Sequence, residues 1–252
     1  MEVLGIDVGG SGTKGALVHM ETGEMLTERY RIPTPKSRKP EAMAKVVAEI
    51  VHHFDYKGPV GCGFPTLIKK GVCKSVGNLH DSWLDVNVEE LFQKVSGNDF
   101  TVINDADAAG YATMNYGIGK GMDGLVVMIT IGTGLGSGAF LDGRLLPSWE
   151  LGQIPYKKHA KIEDWAAASA KERKNLSWKK WGKRFNKFLE LVELIVNPDT
   201  IILGGGTSKD FESYSKYIRI DTPVIPAGLQ NHAGIIGAAT GCLADHPELY
   251  EQ

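Results

Sequence analysis

Val3-Leu-Gly-Ile-Asp-Val-Gly-Gly-Ser-Gly-Thr-Lys-Gly-Ala-Leu-Val18 decides the fold. It reads as an apolar strand, a glycine turn and a second apolar strand, with Asp7 and Lys14 flanking the turn. Gly9, Gly10 and Gly12 carry no Cβ where the backbone must bend sharply or approach a ligand. Successive amides in such a turn can form an anion-binding concavity. Asp7 is the only carboxylate of the stretch and suits a water-coordinated Mg2+, which prefers oxygen ligands.

Gly10-Ser-Gly-Thr-Lys-Gly15 formally matches the dinucleotide pattern G-x-G-x-x-G, but that pattern counts only where it opens a helix. Here Ala16-Leu-Val-His19 continues the strand. Glu21-Thr-Gly-Glu24 then reads as a hairpin turn into a third strand at Glu24-Met-Leu26. A Walker A loop is excluded because no G-K-[ST] is present. A second copy of the design lies at Val126-Val-Met-Ile-Thr-Ile-Gly-Thr-Gly-Leu-Gly-Ser-Gly-Ala-Phe-Leu141. It is followed by the hairpin signal Asp142-Gly143 and a strand at Arg144-Leu-Leu146. Two such units, one at the start of each half, predict a duplicated β-hairpin core with a phosphate held between the halves.

Composition narrows the class. A chain of 252 residues holds one large or two modest domains. Its net charge of -2 argues against a whole-protein nucleic-acid or membrane binder. Strand begins directly after Met1, so no signal peptide is expected, and no apolar run reaches about 18 residues. Cys62, Cys73 and Cys242 lack zinc spacing and read as thiols of a cytoplasmic protein.

Along the chain, Arg29 to Lys39 reads as a basic strand end and loop. Pro40 opens a helix in the favoured first turn, with an apolar stripe from Met43 to Phe54. His52 and His53 sit at its C-terminus, where partial positive charge is favoured. Pro59 to Pro65 reads as a short buried strand entering a tight loop, and Phe64-Pro65 as either a core corner or a wall for a small ligand. Asn87-Val-Glu-Glu90 is a capping box for a helix with Leu91, Phe92 and Val95 inside. Phe100 to Asn104 is a strand running into a small-residue helix. Asn104 or Asp107 can cap that helix, leaving Asp105 at the junction as a general base.

Lys157 to Lys187 holds eleven cations against three carboxylates, in an otherwise acidic chain. Trp178, Trp181, Phe185, Phe188, Leu189 and Val192 form the buried stripe of a helix capped by Ser177 and stopped before Pro198. On that spacing the tryptophans are core. The cations would steer a polyanion to this region. Thr200-Ile-Ile-Leu203 is a buried strand entering a triple glycine, and Thr222 to Pro226 is a short strand. Asn231 to about Ala244 is a small-residue helix whose glycines suit close packing against a neighbour, and the last residues are polar and frayed.

The motifs together resemble the ROK family of sugar kinases, within the actin-like ATPase superfamily, and its polyphosphate glucokinase branch in particular. The resemblance is carried by the first glycine stretch, Gly61-Cys-Gly-Phe-Pro65, Asn104-Asp-Ala-Asp-Ala-Ala-Gly110, Thr130-Ile-Gly-Thr-Gly-Leu-Gly-Ser137, Glu150-Leu-Gly152, Leu176-Ser-Trp-Lys-Lys-Trp181, Leu203-Gly-Gly-Gly-Thr-Ser-Lys209 and Ala233-Gly-Ile-Ile-Gly-Ala-Ala239. It implies a two-domain α/β actin-like (ribonuclease H-like) fold with a cleft between duplicated domains. The N-terminal domain would span 1–105, with a C-terminal helix at about 232–252 packing back, and the C-terminal domain 106–231. The implied activity is transfer of a phosphoryl group from polyphosphate, ATP or both to the 6-hydroxyl of glucose or a related hexose.

The resemblance also implies the site. Asp7, Gly9, Gly10, Ser11, Gly12, Thr13 and Lys14 would meet donor phosphates, with Mg2+ on Asp7 through water. Thr130, Gly132, Thr133 and Gly134 would join them, and Gly204, Gly205 and Gly206 would lie under a nucleotide base. Phe64, Pro65, Asn78, Asn104, Glu150, Gln153 and Glu163 would meet the sugar, and Asp105 would take the hydroxyl proton. A homodimer is implied, zinc is not, and the basic run reads as a polyphosphate track. Gln153 stands where the family's Glu-x-Gly-His has histidine, which opens a second reading as a non-catalytic or altered-specificity sugar- or nucleotide-binding protein. A sugar-responsive regulator would carry a helix-turn-helix before the first glycine turn, and here Asp7 comes almost at once.

Overall fold

The computed structural model describes residues 1–228 and 232–246. In chain order the elements are β1 (Glu2–Val8), β2 (Gly12–His19), β3 (Tyr30–Pro33), α1 (Pro40–His53), β4 (Val60–Phe64), β5 (Ile68–Lys69), β6 (Val72–Cys73), α2 (Val88–Ser96), β7 (Phe100–Asn104) and α3 (Asp105–Tyr116). They continue as β8 (Leu125–Ile131), β9 (Leu135–Leu141), β10 (Arg144–Leu146), α4 (Glu163–Ala166), α5 (Ala168–Arg173), α6 (Trp178–Val196), β11 (Thr200–Gly204), α7 (Phe211–Tyr214), β12 (Val224–Pro226) and α8 (Ala233–Asp245). Two compact units emerge, Met1–Ala112 with Asn231–Gln252, and Thr113–Gln230, so the division falls within α3. Asn231 and the polar tail after His246, on which sequence expectations also fall, lie outside the described residues.

The two units repeat one plan. The first sheet runs β3-β2-β1-β4-β7, the second β10-β9-β8-β11-β12. In each, an antiparallel three-stranded meander is extended by two parallel strands. The predicted duplication is therefore present. The first core packs Leu4, Ile6, Ile50, Phe64, Trp83 and Phe92; the second packs Ile129, Trp181, Phe185, Phe188, Leu203 and Tyr214.

Local signals explain the helices. Pro40 begins α1 and Met43, Val47, Ile50 and Val51 are buried along it, while His53 stacks on Tyr30 at 3.8 Å. The Asn87 side chain accepts from the Glu90 amide at the start of α2, and left-handed Gly97 ends it. Ser177 caps α6, and left-handed Asn197 stops it before Pro198.

Three expectations shift. The third strand of the first meander is Tyr30–Pro33, whereas Met25 makes a single bridge to Val18. The Thr27 hydroxyl takes the Leu17 amide, which interrupts the ladder until pairing resumes with Gly15 opposite Tyr30. Val95 is on the exposed side of α2 in its last turn. Trp178, the first residue of α6, is half-buried, because the first turn of the helix overhangs the core that covers Trp181.

Candidate active site

In the first unit, parallel pairing of β1, β4 and β7 brings three strand ends to one edge. Asp7 lies opposite Gly63, and Phe64 opposite Asn104. Open α/β sheets bind ligands at this carboxyl edge. Asp7 also faces Lys14 across the hairpin, with Nζ 3.0 Å from Oδ2. Gly234 of α8 packs directly on it, since a Cβ there would come 2.8 Å from the Asp7 Cγ.

The glycine turn is fastened from a distance. Gly9 N donates to Gly12 O at 3.1 Å. Three carbonyls then receive side-chain donors: Gly9 O from Thr34 Oγ1 (2.6 Å), Ser11 O from Arg31 Nη2 (2.7 Å) and Gly10 O from Arg38 Nη2 (3.3 Å). Buried Gly12 lies under the Arg31 guanidinium, 2.7 Å from where a Cβ would sit, so a side chain there would displace the arginine that fastens Ser11. Gly10 borders open space, which leaves the turn approachable. Thr13 has its side chain buried in β2, which leaves its backbone for the expected contact with a donor. Arg31, Thr34 and Arg38 were not singled out by sequence; the basic composition of the 29–39 stretch was the available signal.

At the β7–α3 junction Asn104 has both ends of its carboxamide engaged. Its Oδ1 accepts from the amides of Ala106 (2.8 Å) and Asp107 (3.4 Å), and its Nδ2 donates to Thr66 O (3.1 Å). Asn104, not Asp107, is thus the cap of α3. Asp105 follows as an exposed first residue, and Asp107 is buried. Phe64 resolves as the core corner: its ring is fully buried against Trp83 (4.8 Å) and Phe92 (6.1 Å), so only its backbone is left to meet a ligand. Pro65 is half-buried and Asn78 exposed, its carbonyl held by Arg38 Nη1 at 2.7 Å. Arg38 therefore ties the 78 loop to the glycine turn. His232, just before α8, is held toward its neutral form by burial and then by Arg29 and Lys14.

The second unit builds its own turn and cavity. Gly132 N donates to Gly134 O at 3.1 Å. Ser169 on α5 clamps the turn, its amide on Gly132 O (3.4 Å) and its hydroxyl on Thr133 O (2.6 Å). Glu163 accepts from the Leu135 amide (3.1 Å) and lies so close over Gly134 that a Cβ there would collide with its Oε2. The same carboxylate takes Gln153 Nε2 at 2.8 Å, with Lys161 at 3.7 Å. Burial, and then the Glu163 charge, push the neighbouring Glu150 carboxyl up.

Beside the turn lies a cavity of about 430 Å³, bounded by Gly132, Thr133, Ser169, Lys171, Trp178 and Gly206 among others. Thr130, expected at the donor phosphates, pairs with Gly204 on β11 and is not one of the residues that line this cavity. The triple glycine divides by role. Gly204 is buried and a side chain would overlap Met128; Gly205 has φ +77° and presses on the Ile131 backbone; Gly206 alone of the three borders the cavity. Lys171 and Trp178 line it as well, a pair that helical spacing did not distinguish from core and solvent. Among the described residues no three His, Cys, Asp or Glu side chains gather as a metal cage, and no helix is long and apolar enough to cross a membrane.

A sequence profile of the ROK family matches residues 3–150. The chain is 40% identical over 243 residues to a polyphosphate glucokinase of Mycobacterium tuberculosis, covering 96% of this chain and 91% of the relative. It is 37% identical to that of Mycobacterium leprae, covering 96% and 75%. The structure superposes on an inorganic polyphosphate/ATP-glucomannokinase from Arthrobacter sp. strain KM with a TM-score of 0.91 and 40% identity, covering 97% of this chain and 99% of that one. A ROK family glucokinase from Streptomyces griseus in complex with glucose and AMPPNP shares the fold, with a TM-score of 0.78 at 21% identity over 95% and 98% of the two chains. The chain has the actin-like ATPase fold and belongs to the ROK family, its resemblance running to the polyphosphate glucokinases within it.

Proposed function

We propose that this protein transfers the terminal phosphoryl group of polyphosphate, ATP or both to the 6-hydroxyl of glucose or a related hexose. The observation that carries this function is Asp105, exposed as the first residue of the helix that Asn104 caps, at a strand end that only β4 separates from that of Asp7 and its fastened glycine turn. Asp105 takes the hydroxyl proton as the oxygen attacks. Pro65, Asn78, Glu150, Gln153 and Glu163 orient the sugar, Asn104 sets the base, and the 132–134 turn with the adjoining cavity holds the donor. Such transfer depends mostly on positioning and charge neutralisation.

Mg2+ fits what the site offers. One carboxylate, Asp7, stands at the strand end and, among the described residues, no cage of three such ligands surrounds it, as suits an ion that keeps several waters and shares phosphate oxygens. When bound, the ion neutralises charge on the donor phosphates. Lys14 holds the Asp7 carboxylate in place. The protein acts in the cytoplasm as a homodimer, which sedimentation velocity would check.

A coupled assay tests the function, pairing ATP and polyphosphate separately with glucose, mannose and glucosamine. Hexose 6-phosphate from at least one donor is expected; none from either would reduce the protein to a binding scaffold. Polyphosphate also runs along the cations between Lys157 and Lys187, so added salt should raise its KM more steeply than that of ATP. Equal losses for both donors would remove the track. Gln153→Leu deletes a charge-assisted donor to Glu163 and should raise the hexose KM about tenfold; an unchanged KM would mean Leu135 and Lys161 suffice to orient that carboxylate.

A further inference from the structure

Lys171 is the cation of the basic run that borders the cavity beside the 132–134 turn. It lies on α5, two residues after Ser169, which clamps the 132–134 turn. Its carbonyl accepts the Leu176 amide at 2.9 Å, closing the link to α6 and bringing the side chain back onto Trp178. There Nζ sits 4.0 Å over the indole ring. That ring is fixed in turn by stacking on Tyr214 (5.8 Å, 26°) and by an edge contact with Trp181 (5.7 Å). Among the described residues Lys171 joins no ion pair within 4 Å. An aromatic face holds an ammonium without cancelling its charge, so Lys171 offers a seated cation to an anion in a cavity whose lining also holds Lys209 and the carboxylates Glu172 and Asp210.

The same geometry works against a nucleotide. A base stacking on that face of Trp178 would need the space the ammonium fills, and would have to displace it. A chain of phosphates needs no such displacement and gains a fixed cation beside the turn. We propose that Lys171, seated on Trp178, is a donor-specificity residue that favours polyphosphate over ATP. This rests on the cavity being the donor site, as proposed above.

The test compares donors within each variant. Lys171→Ala should lower kcat/KM for polyphosphate about tenfold, the scale of one charge-assisted contact, while the KM for ATP stays level or falls. Lys171→Arg, which keeps a cation over the ring, should retain polyphosphate use. Equal losses for both donors, a loss confined to ATP, or no change in Lys171→Ala would each overturn the proposal. Gly206→Leu separates the two levels of inference, because a side chain at 206 enters open space at the cavity. It should impair both donors. If it impairs neither, the cavity is not the donor site, and the failure lies with that placement whatever Lys171→Ala does.

Discussion

Asp105→Ala is expected to keep measurable hexose binding while phosphoryl transfer falls about 10²- to 10⁴-fold with either donor, the range a positioned base contributes. The reasoning is local. Asp105 opens α3 at the end of β7, and its backbone is set by a side chain that bonds in two directions. Asn104 caps the helix through Oδ1 and reaches back to Thr66 through Nδ2, so the junction cannot swing. The backbone that carries the proposed base is therefore fixed at both sides of the junction. Residual turnover should persist, because donor positioning and charge neutralisation do not depend on the base. Calorimetric titration with glucose, beside initial rates for both donors, reads the two effects separately. Turnover equal to wild type would reject Asp105 as the base. Asn104→Ala tests the support: losing the cap costs about 1 kcal/mol and should lower kcat more than it raises KM.

Much of this arrangement was legible in the chain because it is written in local pattern. Alternating apolar residues around Gly9–Gly12 and Gly132–Gly136 announce two hairpins, and their repetition announces two matching sheets. Pro40, Asn87, Ser177 and Pro198 mark helix ends through chemistry confined to a few residues. What could not be read is carried by long-range contacts. Thr34, Arg31 and Arg38 hold carbonyls 20 to 28 residues away in sequence, and Ser169 holds one 36 residues away. A hydrogen bond to a backbone carbonyl leaves no periodicity. Phe64 shows a different limit. Phe-Pro at a strand end serves equally as a ligand wall or a core corner, and only the aromatic neighbours Trp83 and Phe92 decide for the corner. Trp178 and Trp181 share one helical stripe, yet the stripe cannot say where the core beneath it ends.

Gly237→Ala is expected to destabilise the protein, against the ordinary rule for helices. In a helix interior alanine is favoured over glycine by about 1 kcal/mol, and Gly237 lies within α8. Here the helix meets its neighbours backbone to backbone. A methyl on Gly237 would overlap the Ala108 carbonyl; one on Gly61 of β4 would overlap that of Ala238, and one on Gly5 of β1 that of Ile235. Main-chain atoms cannot rotate aside as a flexible side chain can, so α8 or α3 must shift. Forcing a methyl into a packed interior costs about 1–3 kcal/mol and sometimes more, and the propensity gain offsets only part of it. At about 2–4 °C per kcal/mol for a chain of this size, the melting temperature should fall by several degrees. Gly241→Ala is the control: a Cβ there first meets the end of the Ile103 side chain, at 2.7 Å, which can move. The milder variant should stay near wild type. The strain in Gly237→Ala also has an address, since Ala108 is one turn along α3 from Asp105. Displacing that carbonyl tilts the helix that presents the proposed base, so kcat should fall even at temperatures where the variant is fully folded. A Gly237→Ala protein as stable and as active as Gly241→Ala would mean that α8 does not rest on the backbone of its neighbours, and that the seat of Asp105 is held by other contacts.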